Sequence, residues 1–235
     1  MTHTLKCLNI GLQVLFAFTP QLCASIAQPY IIYVIRHGET DWNKQGRVQG
    51  HTDIPLNEDG ERQAIELRAK LAGINFAKVF SSDLSRAYRT AQLFLDSQDI
   101  EIIKVPHLRE RNRGRWEGCL IHELTKHVKH IEYNSKVSKE EFISYQLDEN
   151  LESFAQAYQR IQNLINSIVG SPIESPILFA THSGMMQSIL YHMDFKHDAR
   201  WRVGNGAYIK LQVTNDGHIS IIETDALTLF PITND

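Results

Sequence analysis

Apolar runs alternate along this chain with segments of helical period, the pattern of an α/β domain. Residues 30–35, YIIYVI, are continuously apolar between Pro29 and Arg36-His37-Gly38, which predicts a strand covered on both faces. Asn57 is placed to cap a helix running to Leu71, with Ala64, Ile65, Leu67, Leu71 and Ala72 in its inward stripe and Gly73 after its end. Short strands are predicted at 78–81 and 101–105, on either side of a helix at 83–97. A long amphipathic helix follows at 152–169, with Phe154, Tyr158, Ile161, Leu164, Ile165 and Ile168 on one face. A second buried strand at 176–180 leads directly into a helix near Ser183. Strands at 207–213 and 219–223 close the chain around an Asn215-Asp216-Gly217 turn. The predicted architecture is a three-layer α/β/α domain with a mostly parallel central sheet and a small helical cap inserted at about 120–149. No internal repeat or linker divides it.

The first 27 residues read differently. One charged side chain, Lys6, precedes an apolar stretch from Cys7 to Phe18, then Pro20 and the small residues Ala24, Ser25 and Ala27. That order is a basic region, an apolar region and a small-residue cleavage site, so 1–27 is read as a signal peptide, with 28–235 as the mature domain. The location expected is periplasmic or secreted, a cytoplasmic enzyme with an N-terminal extension being the alternative. No stable membrane insertion is expected after cleavage, since the run is short for a bilayer span. Cys7 and Cys23 fall within the leader. Cys119 then has no partner for a disulfide, and it is read as a small buried hydrophobe. The net charge of −3 excludes a surface built as a whole to hold nucleic acid.

The two most buried strands both end in polar clusters, Arg36-His37-Gly38-Glu39-Thr40 and Thr181-His182-Ser183-Gly184. Ligand sites of open α/β sheets collect at the carboxyl ends of strands, so both histidines are placed in one crevice. A lone Arg-His-Gly is a weak signal. Its context is RHGETDWNKQGRVQGHTDIPLNEDG from Arg36, SSDLSRAYRTAQ from Ser81, LRERNRGRWEG from Leu108 and THSG from Thr181. In order and spread over the mature chain, these four blocks resemble the histidine phosphatase superfamily in its phosphoglycerate-mutase-like branch.

Transfer of a phosphoryl dianion needs an in-line nucleophile, cations on the phosphoryl oxygens and a proton for the departing alkoxide. A neutral imidazole is nucleophilic near pH 7 without a base to activate it, and His37 is the candidate. The resemblance implies that it becomes phosphohistidine and is then hydrolysed, with no metal or cofactor. Arg36 and Arg86 supply always-charged planar forks for the oxygens. His182 is expected to donate to the phosphoryl group, aided by backbone N–H groups at Ser183 and Gly184. Asn43 is the expected neutral donor, and Thr40, Gln49 and Gly50 complete the candidate substrate-binding set. By block position the proton donor is Glu110, with Glu117 and Glu39 as alternatives. Arg89 is placed either on substrate or in a surface salt bridge, and Arg113 lies close to the pocket blocks. His122, His127 and His130 are read as a solvated cap face rather than metal ligands.

Three functions compete: a phosphomonoester phosphatase, a phosphoglycerate mutase and a catalytically inactive binder of phosphorylated ligands. The mutases bear paired arginines in the insertion after the acid block, whereas 120–149 here contains Lys126, Lys129, Lys136 and Lys139 but no arginine. Hydrolysis of a small phosphorylated substrate is therefore the expected reaction, with specificity residing in that insertion.

Overall fold

The computed structural model describes residues 28–232 apart from Ser97 and Tyr133, so the leader expected at 1–27 lies outside the described residues. Six strands form one sheet: β1 (Tyr30–Arg36), β2 (Lys78–Ser81), β3 (Ile102–Lys104), β4 (Ile177–Thr181), β5 (Ala199–Val213) and β6 (Ile219–Pro231). Their spatial order is β3-β2-β4-β1-β5-β6. The first four run parallel to their neighbours, and the antiparallel β5 joins β1 to β6. The helices are α1 (Asp41–Lys44), α2 (Glu58–Lys70), α3 (Ser85–Leu95), α4 (Ile121–Glu132), α5 (Lys139–Ser144), α6 (Phe154–Ile168) and α7 (Ser183–Met193). Among the described residues no helix is long and apolar enough to cross a membrane.

The alternation of side chains along β1 builds both outer layers. Ile32 and Val34 join Phe179, Ile209 and Leu211 in a cluster with Ala157, Ile161 and Ile165 of α6 and Met185 and Ile189 of α7. Tyr33 and Ile35 face the opposite way, into a cluster with Leu67 of α2, Ala91 and Phe94 of α3, and Phe76. A strand that buries both faces must be apolar throughout, hence the continuous run in the sequence.

The helices begin where the sequence places caps. Asn57 accepts from the Gly60 N–H, and Ser153 forms a capping box with Gln156 at the head of α6. α3 is shorter than expected and starts at Ser85, because Leu84 occupies the cap position in extended geometry. The insertion folds as α4 and α5, seated on two small apolar clusters. One gathers Ile131, Val137, Phe142, Phe154 and Tyr191, the other Val48, Leu124, Val128 and Leu151. Three expectations are corrected. Ile65 and Ala72 are exposed rather than inward, Ile65 because it stands about 100° around α2 from Ala64 and Ala72 because the helix has ended at Lys70. The last hairpin is far longer than the predicted 207–213 and 219–223, and its pairing continues through a register shift from Tyr208–Asp225 to Val203–Leu227 and on to Ala199–Pro231. Cys119 is half-buried rather than buried, because the loop that carries it runs along the surface.

Candidate active site

Register brings the two motif ends together. Arg36 pairs with Thr181 across β1 and β4, and the His37 N–H donates to the Thr181 carbonyl at 3.0 Å. The rings of His37 and His182 therefore lie 5.1 Å apart, centroid to centroid, in a tilted arrangement.

His37 is 2% exposed, and its Nδ1 lies 2.6 Å from the Gly38 carbonyl oxygen. A carbonyl only accepts, so the proton sits on Nδ1 and Nε2 keeps its lone pair. Burial, with Arg86 and Arg36 nearby, holds the His37 pKa well below the ordinary histidine value, against the opposing pull of the Gly38 carbonyl. The Gly38 peptide is itself held: its N–H donates to Thr90 Oγ1 at 3.1 Å, and that hydroxyl donates to the Arg86 carbonyl at 2.7 Å. Position 38 also needs glycine, because a Cβ there would overlap the backbone of Gly60.

Two guanidiniums flank the nucleophile. Arg36 donates from Nη1 to the Val203 carbonyl at 2.7 Å, while its Nε is buried without a partner. Burial, with Arg86 and Arg202 nearby, lowers its pKa to about 10, against the pull of Glu110 and Glu39, so it remains charged at neutral pH. Arg86 is 1% exposed, and its three nitrogens reach the Thr52 carbonyl (2.9 Å), the Gly50 carbonyl (2.8 Å) and His182 Nδ1 (3.2 Å). An arginine fork so restrained is preorganised for an anion.

The acid candidate is anchored where the sequence reading placed phosphate-binding N–H groups. Glu110 accepts from the Gly184 N–H at 3.0 Å and the Ser183 hydroxyl at 3.3 Å, both at the head of α7, and from the Arg111 N–H at 2.7 Å. Gly184 and Ser183 thus serve Glu110 here rather than the phosphoryl group, because the carboxylate takes the positive end of the helix. Burial alone would raise the Glu110 pKa, but Arg113, these backbone donors and Arg86 outweigh it and leave it below the ordinary carboxylate value. His182 also departs from expectation, since its Nδ1 faces Arg86 and its Nε2 lies 2.9 Å from Ser82 Oγ.

Other candidates sort by their partners. Asn43, Gln49, Gly50 and Ser183 line the same cleft as Arg36, His37 and Glu110, a space of about 620 Å³. Gln49 Oε1 is buried without a partner. Thr40 does not line the cleft; its hydroxyl and N–H form a capping box with Asn43 at the head of α1 and so fix the Asn43 amide. Glu117 takes four N–H and O–H donors from residues 51, 52 and 113, which makes it the anchor of the Gly50 loop. Glu39 accepts from the Asn57 amide. Arg89 is in the surface salt bridge with Glu61, at 2.8 Å. His127 and His130 pack against the rings of Trp116 and Tyr145. Among the described residues no three His, Cys, Asp or Glu side chains come together as a metal site.

Several contributors escaped the sequence reading. Ser82 and Thr90 act through histidine and glycine neighbours, and the Asn205 amide donates to the His37 carbonyl at 3.2 Å. Arg160 on α6 donates to the carbonyls of His107, Arg109 and Glu110 and pairs with Glu152 at 2.6 Å, clamping the loop that carries the acid. The long hairpin supplies a second wall opposite the cap, so Arg200, Trp201, Arg202 and Phe230 line the cleft along with Val128 and Phe142.

Comparison with known proteins agrees with this geometry. The family model of the histidine phosphatase superfamily (branch 1) matches residues 32–222. A Cronobacter sakazakii protein named as a probable phosphoglycerate mutase, GpmB, is 27% identical over 180 residues, which cover 74% of this chain and 80% of that protein. The phosphatase PhoE of Bacillus subtilis, named as uncharacterized, is 37% identical over 134 residues, 57% of this chain and 69% of that one. Among solved structures, a phosphoserine phosphatase from Entamoeba histolytica in complex with 3-phosphoglyceric acid superposes with a TM-score of 0.67 at 25% identity, covering 83% of this chain and 96% of that one. With the family's motifs gathered around His37, where Arg36, Glu110 and Ser183 line the cleft and Arg86 and His182 lie buried behind it, and with its model spanning most of the chain, the protein belongs to the histidine phosphatase superfamily, branch 1, a superfamily of phosphoryl-handling enzymes.

Proposed function

We propose that the protein is a phosphomonoester hydrolase working through a phosphohistidine on His37. The observation that carries this reading is the His37 Nδ1–Gly38 carbonyl bond, which leaves Nε2 as a neutral nucleophile between two fixed guanidiniums. The phosphoryl oxygens rest on Arg36, Arg86 and Asn43. As the P–Nε2 bond forms and the ester P–O bond breaks, Glu110 gives its proton to the leaving oxygen. Water then attacks phosphorus, returning a proton to Glu110; the P–N bond breaks and inorganic phosphate leaves. The Glu110 pKa lies below the ordinary carboxylate value, and a phosphoryl dianion placed beside it raises it back toward protonation.

Phosphoryl transfer of the mutase kind is the second reading. Arg113 and Arg202 line the cleft from outside the insertion, which supplies the arginines that 120–149 lacks. The test is a panel of phosphate esters turned over in chelator, with inorganic phosphate and isomerised ester both measured. Phosphate release lost in His37→Ala supports the hydrolase; ester isomerisation exceeding release establishes the mutase instead. Export is proposed alongside on the leader pattern, and N-terminal sequencing of the exported chain is expected to begin at Gln28, whereas full-length protein confined to the cytosol would refute it.

A further inference from the structure

The backbone of β5 breaks step where it passes the end of β1. Its pairing with β1 runs out at Tyr208 opposite Ile35, and its register with β6 shifts between Val203 and Tyr208. Within that shift Gly206 has φ +65°, a left-handed conformation that glycine adopts freely. This irregular stretch holds the Arg36-His37 motif. The Val203 carbonyl accepts from Arg36 Nη1 at 2.7 Å, and the Asn205 side chain reaches the His37 carbonyl at 3.2 Å. With the His37 N–H on Thr181, both backbone groups of the nucleophile are tied down.

The chemistry of the partners settles which amide atoms face each other. A carbonyl only accepts, so the Asn205 atom on His37 is Nδ2, and the same NH2 group donates to Asn43 Oδ1 at the longer distance of 3.5 Å. The Thr40 N–H only donates, so the Asn43 atom 3.2 Å from it is Oδ1. The Thr40 hydroxyl accepts the Asn43 N–H and gives its own proton to that oxygen, each at 3.2 Å. Three donors therefore converge on one amide oxygen, and the Asn43 NH2 is left for the cleft that the residue lines. Flipping the Asn43 amide would set its hydrogens against those donors and its oxygen against the phosphoryl oxygens.

We propose that Asn205 is a positioning residue for phosphoryl binding, a role that rests on the phosphoryl-transfer reading of the pocket. By bridging the His37 carbonyl and Asn43 Oδ1, its amide locks the Asn43 NH2 toward the phosphoryl oxygens and holds it in fixed relation to the nucleophile. Thr40 secures Asn43 to its own helix, whereas Asn205 secures it to His37.

The test measures inorganic phosphate binding by calorimetry in full-chain Asn205→Ala and Asn205→Asp, each made in wild type and in Asn43→Ala. Alanine removes the bridge, and phosphate binds about fivefold more weakly, roughly one hydrogen bond's net worth. Aspartate keeps the shape but sets an acceptor against two acceptors, and the loss is about tenfold or more. KM for p-nitrophenyl phosphate rises in the same order. A residue that only filled space would give the reverse order, because aspartate matches asparagine in size. In the Asn43→Ala background both Asn205 variants lose less than about twofold, since the group they orient is gone. Should alanine fail to fold, aspartate in the two backgrounds carries the comparison. Equal losses in both backgrounds, tighter phosphate binding by aspartate than by alanine, or wild-type affinity in either variant overturns the proposal. Absence of any turnover by wild type would instead count against the hydrolase reading, leaving the phosphate titrations to judge Asn205.

Discussion

Gly38→Ala tests how tightly the nucleophile's setting is specified. A Cβ at position 38 would lie 2.7 Å from the carbonyl carbon and Cα of Gly60 and nearer still to its oxygen, whereas ordinary contact begins at 3.4 Å. Neither side yields easily. Gly60 is in the first turn of α2, with its N–H on the Asn57 cap, and Gly38 is tied to Thr90 through its N–H and to His37 through its carbonyl. Overpacking of this kind costs about 1–3 kcal/mol, a fall in Tm of several degrees in a domain of this size. The activity loss is expected to be larger. The peptide that must move is the one that orients the imidazole, and a misplacement approaching 1 Å costs up to about 100-fold in rate. Thermal denaturation and steady-state hydrolysis of p-nitrophenyl phosphate separate the two effects. Gly46→Ala is the control: its φ is +66° but no heavy atom lies within 4 Å of the added Cβ, so it is expected to lose about 1–2 kcal/mol and keep its activity. A Gly38→Ala enzyme that turns over like wild type would refute the argument that this peptide sets the nucleophile.

Glu110→Gln keeps an acceptor for the α7 N–H groups but has no proton of suitable acidity, so turnover of an alkyl phosphate is expected to fall about 100-fold or more, while p-nitrophenyl phosphate, whose leaving group needs little protonation, falls far less; equal losses on both would contradict the acid role. Arg160→Ala removes a guanidinium that is 24% exposed from a carboxylate, Glu152, that is 14% exposed, and frees the acid-bearing loop, for an expected loss of about 2–3 kcal/mol in chemical denaturation; unchanged stability would contradict the clamp. In the pH profile of kcat/KM, the productive encounter needs one proton on Glu110 or the substrate. Glu110 lies below the ordinary carboxylate value and a phosphomonoester's second pKa is about 6, so kcat/KM is expected to decline above about pH 6, with the His37 acid limb displaced below the usual histidine range; a profile flat to pH 8 would be inconsistent with this.

The elements legible in the sequence are those whose burial has a period. β1 and β4 announced themselves as unbroken apolar runs and α6 as a stripe, because each meets the core along its whole length. The outer arms of β5 and β6 did not. Arg200 and Arg202, and Phe230 on the partner strand, wall an open cleft, and the pairing of these arms leaves no one-sided pattern. The site divided the same way. His37, Arg36, Arg86 and Glu110 stand in motif blocks whose placement at strand ends could be read directly. The anchoring of Glu110 on α7, and the parts played by Ser82, Thr90, Asn205 and Arg160, depend on hydrogen bonds between residues 50 to more than 160 positions apart, which no local spacing encodes.

The central claim is covalent chemistry at one ring nitrogen, and rapid acid-free quenching of the enzyme during turnover, followed by peptide mass spectrometry, tests it most directly. A phosphoryl group on His37, labile in acid, turned over at the rate of phosphate release and absent from His37→Ala, is the predicted result. Sustained phosphate release by His37→Ala, or a phosphoryl group trapped on a different residue, would contradict the account.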